Sequence, residues 1–227
     1  VITHSALALT LLAGAAQAET FTLQSPDERL SVNIDVAQKV TWSVNLDDAP
    51  AIAPSTIGLT VKGLGDIASE AKLISVDRNE VNTRHSPAVK HKSADITEHY
   101  RELSLRFDNE FGVDFRVYDD GVAYRFVGEY SEPITVQDET MALNFPAGAT
   151  TLFPEEESLI SHYERLYVPS KVADITPGRF ASLPAYIGVN DINIVFTEAD
   201  LYDYPGMFLY GTGQDGFAEL PWSVADK

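Results

Sequence analysis

Apolar residues recur at every second position along most of this chain. "LSVNIDV" sets Leu30, Val32, Ile34 and Val36 on one face, and "VTWSVNL" does the same with Val40, Trp42, Val44 and Leu46. Ile57, Leu59 and Val61 continue the pattern, as do Leu103, Leu105 and Phe107. Such alternation predicts strands with one buried and one wetted face, the habit of antiparallel sheets. Two alternating runs around Asp119-Asp120-Gly121 predict a hairpin over 113–130, with Gly121 supplying the positive φ of the turn. Further strands are expected around Ile134–Val136, Met141–Phe145, Ala185–Val189 and Ile192–Thr197. No helical period of useful length follows residue 18.

Short strands parted by Gly, Pro, Asp and Asn turns predict an all-β protein, a large antiparallel β-sandwich. Residues 65–98 carry the weakest pattern and read as loops with one or two weak strands. The Pro-rich stretch 169–184 reads as an extended connection between sheets. The segment "GFAELPWSVADK" shows no terminal strand pattern, which suggests a fragment of a longer protein.

The first 18 residues are different. "VITHSALALTLLAGAAQA" has no Lys, Arg, Asp or Glu and ends in Ala16-Gln17-Ala18, an A-x-A cleavage signature. It reads as a signal peptide clipped at its start, with 19–227 as the mature domain. The apolar run from Ala6 to Ala16 is shorter than the ~20 residues a membrane span needs. The competing reading is a buried N-terminal helix. There is no cysteine, so no disulfide can brace an exported domain. Export without cysteines fits a bacterial periplasm or secretion.

The net charge is −18, all of it after residue 18. That field repels nucleic acid and anionic lipid, tolerates neutral sugars and favours cations.

Nucleophile, zincin and phosphate-loop motifs are absent. The five histidines, His4, His85, His91, His99 and His162, show no zinc-like spacing. Glu155, Glu156 and Glu157 read as a solvated acidic run. Glu164 stands apart among Tyr163, Arg165 and Tyr167, either paired with an arginine or held for an oxygen-loving ion such as Ca²⁺. Tyr163, Tyr167, Tyr202, Tyr204, Phe208 and Trp222 suit sugar faces, although packing explains any single ring as well. A glycosidase needs two carboxylates flanking a scissile bond, and no such pair can be singled out.

Several segments taken in order are similar to one known family. "LQSPDERLSVNIDV", "PSTIGLTVKG", "HYRELSLRF", "FRVYDDGVAYRF", "NFPAGATTLFP", "HYERLY" and "TEADLYDYPGM" together resemble the N-terminal domain of glycoside hydrolase family 97. The resemblance covers almost all of 23–210. It implies a β-super-sandwich that precedes a catalytic (β/α)8 barrel and a small C-terminal β domain. The barrel would carry the catalytic carboxylates, so none is expected in this chain. The implied activity of the parent is hydrolysis of α-glucosidic or α-galactosidic bonds, with either stereochemical outcome.

The resemblance also implies an active-site Ca²⁺ that takes one Glu from this domain. That role falls on Glu164, with Glu157 as the fallback. Tyr163 and Tyr202 are then expected to contact an α-linked oligosaccharide, with Glu198, Asp200 and Asp203 hydrogen-bonding loop amides or lining the sugar entrance. "TEADLYDYPGM" is expected to be a strand end and turn packed on the barrel, with Tyr202, Tyr204, Pro205 and Met207 as docking area. The rival readings are a free-standing carbohydrate-binding sandwich and a purely structural one.

Overall fold

The computed structural model describes residues 18–69, 71–89, 92–202 and 204–221. The expected signal segment, His91, Asp203 and Trp222 lie outside these residues, save for Ala18. Strands dominate, in the order β1 (Glu19–Gln24), β2 (Leu30–Val36), β3 (Val40–Leu46), β4 (Ala49–Val61), β5 (Gly65–Asp66) and β6 (Leu73–His85). Then come β7 (Ile96–Phe107), β8 (Phe111–Val117), β9 (Val122–Gly128), β10 (Val136–Asn144), β11 (Thr150–Phe153) and β12 (Glu155–Glu156). The last are β13 (Val168–Lys171), β14 (Phe180–Ala181), β15 (Ala185–Val189), β16 (Ile192–Phe196), β17 (Met207–Gln214) and β18 (Gly216–Pro221). A single 3-10 turn at Val172–Asp174 is the one helical element among the described residues.

The strands build three sheets, antiparallel throughout. The largest runs β1-β2-β3-β4-β10-β18-β17-β14-β12, with β5 on β4. Two four-stranded sheets, β6-β7-β8-β9 and β13-β11-β15-β16, complete the set. Register shows how one face of the large sheet becomes the core face. Val40 pairs with Ile57, Ile57 with Met141, and Leu143 with Phe217, so these side chains project together. Trp42 packs on Phe115 and Tyr124 of the first small sheet, at ring separations of 6.4 and 5.7 Å. Phe217 stacks on Phe153 of the other at 5.8 Å. One apolar cluster links all three sheets. The molecule is therefore the expected all-β antiparallel sandwich, in which one broad sheet is faced by two narrower ones.

Three expectations need correction. The 113–130 hairpin forms as β8 and β9, but Gly121 turns it without a positive φ. Residues 65–98 hold β6, thirteen residues long and paired with β7 along its whole length. Its side chains are almost all wetted, so no apolar period marked it; backbone pairing and surface contacts such as Glu80 with His99 and Arg101 hold it. The C-terminal stretch, expected to lack a strand, forms the β17–β18 hairpin. Glycines at 211, 213 and 216 thin its alternation. Gly211 is required there: a Cβ would lie 2.5 Å from the carbonyl oxygen of Ile175.

Candidate functional site

The loop 157–167 is held from below by one acid. Glu156 is buried and accepts hydrogen bonds from Ser161 Oγ (2.6 Å), Arg165 Nε (2.9 Å) and Ser182 Oγ (3.1 Å). Burial works to raise its pKa, but the bonds from Ser161, Arg165 and Ser182 outweigh it and hold the carboxyl below the usual range. Glu155 forms a two-pronged pair with Arg179, at 2.7 and 2.6 Å. Of the acidic run expected to be solvated, only Glu157 is exposed. The spacing concealed two arginines that return to it from 165 and 179.

Above this anchor the loop displays the expected site residues. The Tyr163 N–H donates to Ser161 Oγ at 3.1 Å, and Tyr163 takes a left-handed φ of 55°. Its ring rests 5.8 Å from Phe208, which meets Phe180 edge-on, yet it stays 52% exposed. Glu164 is exposed, with no hydrogen bond or ion pair from its carboxylate to the described residues. Arg165, which the sequence offered as a partner for Glu164, is committed to Glu156 instead.

The loop 197–206, between β16 and β17, reaches the same end of the sandwich. Glu198 accepts the Met207 N–H at 3.0 Å, and lies close enough to Tyr163 to help raise the phenol pKa, after burial. Tyr202 donates its N–H to the Asp200 carbonyl at 2.8 Å and is 84% exposed. Tyr163 and Tyr202 thus sit on two loops that meet at one end, with Glu164 beside Tyr163. Tyr204 is turned inward. It is half-buried and donates its hydroxyl to Glu139 at 2.5 Å, so its polar tip is spent inside the domain.

Beneath the 197–206 loop Glu198 comes near two acids that the sequence reading passed over, Glu139 and Glu219. Glu139 continues the core parity of Met141 and Leu143, and Glu219 that of Phe217. An acid on the apolar parity of a strand was the available signal. Burial raises the pKa of Glu139, with Glu198 and Asp138 adding to it against the Tyr204 bond. Glu198 is raised by burial, against the Met207 amide. Glu219 is pushed up to about 9, by burial first and then by Glu139, Asp138 and Glu198. One oxygen of Glu219 is shut off from solvent and has no hydrogen-bond partner among the described residues. The histidines lie elsewhere: His85 meets Glu98 at 3.0 Å and His99 meets Glu80 at 3.2 Å.

The sequence profile of the family described as "Glycosyl-hydrolase 97 N-terminal" matches residues 23–224. The chain belongs to that family. The family 97 domain is 30% identical over 199 residues to a retaining alpha-galactosidase of Bacteroides thetaiotaomicron, covering 83% of this chain and 30% of that protein. It is 27% identical over 251 residues to a probable retaining alpha-galactosidase of Streptomyces bingchenggensis, covering 98% and 38%. Among solved structures, a Glycoside Hydrolase Family 97 enzyme in complex with acarbose, from Pseudoalteromonas sp. strain K8, superposes with a TM-score of 0.78. That match has 20% identity and covers 88% of this chain and 32% of the other. A beta-arabinopyranosidase structure gives 0.76 at 23% identity, over 88% and 35%. These likenesses extend the sandwich fold to known hydrolases. The family 97 domain spans about a third of the length of the relatives it matches.

Proposed function

We propose that this chain is the non-catalytic N-terminal part of an exported, calcium-dependent α-glycosidase, and that it completes the sugar site of a catalytic barrel elsewhere in the same polypeptide. The observation that carries the reading is the family match over 23–224, together with relatives about three times longer. Those relatives are named retaining alpha-galactosidases, which favours an α-galactoside over an α-glucoside as the substrate. On this reading residues 1–18 direct export to the periplasm or medium and 19–227 form the domain.

Ca²⁺ takes six to eight oxygen ligands. Among the described residues no three metal-ligating side chains converge. Glu164 fits the part of one contributed ligand: it is exposed, free of an ion pair, and held on a loop fixed by Glu156. The remaining ligands would come from the barrel. When bound, the ion supplies positive charge that orients substrate and stabilises developing negative charge. Tyr163 and Tyr202 offer exposed rings for the C–H faces of a sugar. Asp203 is assigned to the sugar entrance.

The test is calorimetric titration of Ca²⁺ and of melibiose, an α-galactoside, into this chain and into the full-length hydrolase. The expected result is binding of both by the full-length protein alone, with its calcium response lost in Glu164→Gln. Sugar binding by the chain alone, without calcium dependence, would establish a free-standing binding module instead.

A further inference from the structure

Glu139, Glu198 and Glu219 form a patch with an unusual charge balance. The charged groups that act on Glu139 and Glu219 are all acids: Glu198 and Asp138 on Glu139, and Glu139, Asp138 and Glu198 on Glu219. The other titratable groups facing the patch are the phenols Tyr124 from β9, Tyr204 from the 197–206 loop and, near Glu198, Tyr163. No lysine, arginine or histidine faces it among the described residues. Elsewhere in this domain a buried acid has its cation: Glu156 has Arg165, and Asp114, 5% exposed, has Arg106 at 2.8 Å and Arg125 at 3.5 Å. A half-buried carboxylate without a partner carries the desolvation cost of its charge with nothing to offset it.

The rim is apolar. Leu201 is 47% exposed and Tyr202 84%, and the space at Gly206 is bounded by both Glu198 Oε2 and Leu201 Cδ1. Tyr163 adds a half-exposed ring next to Glu198. Exposed apolar groups around desolvated charge are the anatomy of a docking face, not of a wetted surface.

We propose that this face docks a second domain of the same polypeptide through a basic side chain, an arginine or lysine, that enters among Glu139, Glu198 and Glu219. The proposal rests on the reading of the chain as one part of a longer hydrolase, and specifies the chemistry of the partner surface. About two thirds of each matched relative lies outside the portion corresponding to this chain, so the occupant has a source. The patch is acidic and the whole chain carries −18, so a basic partner is the complementary one. A guanidinium suits it best, because its planar fork can serve the unpartnered oxygen of Glu219 and a second carboxylate at once. A bound Ca²⁺ is disfavoured, since the carboxylates do not converge as a ligand set. Entry of the cation lets Glu219 release its proton to solvent and become the anion of the pair.

The test compares Glu139→Gln/Glu219→Gln in this chain alone and in the full-length hydrolase, by scanning calorimetry at pH 8. In the chain alone the substitutions remove two acids whose burial opposes ionisation, and with them the cost of holding protons that the unfolded chain releases at pH 8, so the melting temperature should rise by about 3 °C or more. In the full-length protein they remove the partner of a buried cation, and the transition containing this domain should fall by a similar amount. Glu198→Gln, in the loop rather than a strand, should repeat the sign reversal even if the double substitution impairs folding. Shifts of the same sign in both contexts would overturn the cation, while leaving the domain reading standing. A wild-type domain that melts in the full-length protein as it does alone would overturn the domain reading and the proposal with it. Stabilisation of the chain alone by 1 mM Ca²⁺, lost in the variants, would make the patch a metal site and overturn the basic side chain as its occupant.

Discussion

Arg165 Nε lies 2.9 Å from a carboxylate oxygen of Glu156, whose side chain is entirely shut off from solvent. This pair separates the roles of three consecutive acids. Glu155 is bound to Arg179, Glu156 to Arg165 and two serines, and exposed Glu157 keeps only a loose 3.9 Å contact with Arg165. The loop that displays Tyr163 and Glu164 therefore hangs from a fixed point. Replacing Glu156 with Ala would leave Ser161, Ser182 and Arg165 without their acceptor. The expected cost is about 2 kcal/mol, read by denaturant unfolding, with faster amide exchange confined to 157–167.

Glu164 should behave in the opposite way. It is exposed and without an ion pair, so Glu164→Gln should change the stability of the chain by less than about 0.5 kcal/mol. If the proposed role holds, the same change in the full-length protein should abolish the dependence of its glycosidase activity on added Ca²⁺. Activity assays with and without a chelator would check this.

Acid strength supplies a third prediction. The pKa of Glu219 is raised to about 9 from an ordinary 4.5, chiefly by burial, and Glu139 and Glu198 shift the same way. The folded chain thus holds protons that the unfolded chain releases. Stability from these groups is complete below about pH 4.5 and is lost progressively as pH climbs to about 9. Glu156 works in the other direction: its pKa is lowered, so its contribution disappears as the solution is acidified through its folded value. The chain alone should be most stable on the acid side of neutrality. Melting temperatures across pH 4 to 9 would measure it, and Glu219→Gln should flatten the alkaline limb.

A fourth prediction concerns packing. Gly211 lies against the turn at 172–174 so closely that a Cβ would meet the carbonyl oxygens of Ile175 and Thr176 at 2.5 and 2.6 Å. Backbone atoms cannot step aside as a flexible side chain can. Gly211→Ala should destabilise by about 2 kcal/mol or more, whereas Gly121→Ala, with open space around it, should be far milder. Thermal unfolding of the two variants side by side is the check.

Alternation made most of the sandwich legible, because β2, β3 and β15 each bury one face. It was silent on β6, whose residues face water on both sides, and on β17–β18, where glycines replace side chains. The site divides similarly. Tyr163, Glu164 and Tyr202 could be singled out because they stand in short, unusual local contexts. Glu139 and Glu219 could not, because each looks like an ordinary surface acid until the strand parity of its neighbours is followed. The partnerships of Glu155 and Glu156 depend on arginines brought back by the fold, which no local pattern encodes.

Strand β6 forms the outer edge of its sheet, and its thirteen residues include two arginines, a histidine, an aspartate and a glutamate. An unpaired edge of that length is an invitation for another chain to add a strand. Charges along it repel a like neighbour and keep the edge hydrated. The segment with the faintest folding signature is thus the one equipped to keep a disulfide-free protein from polymerising edge to edge.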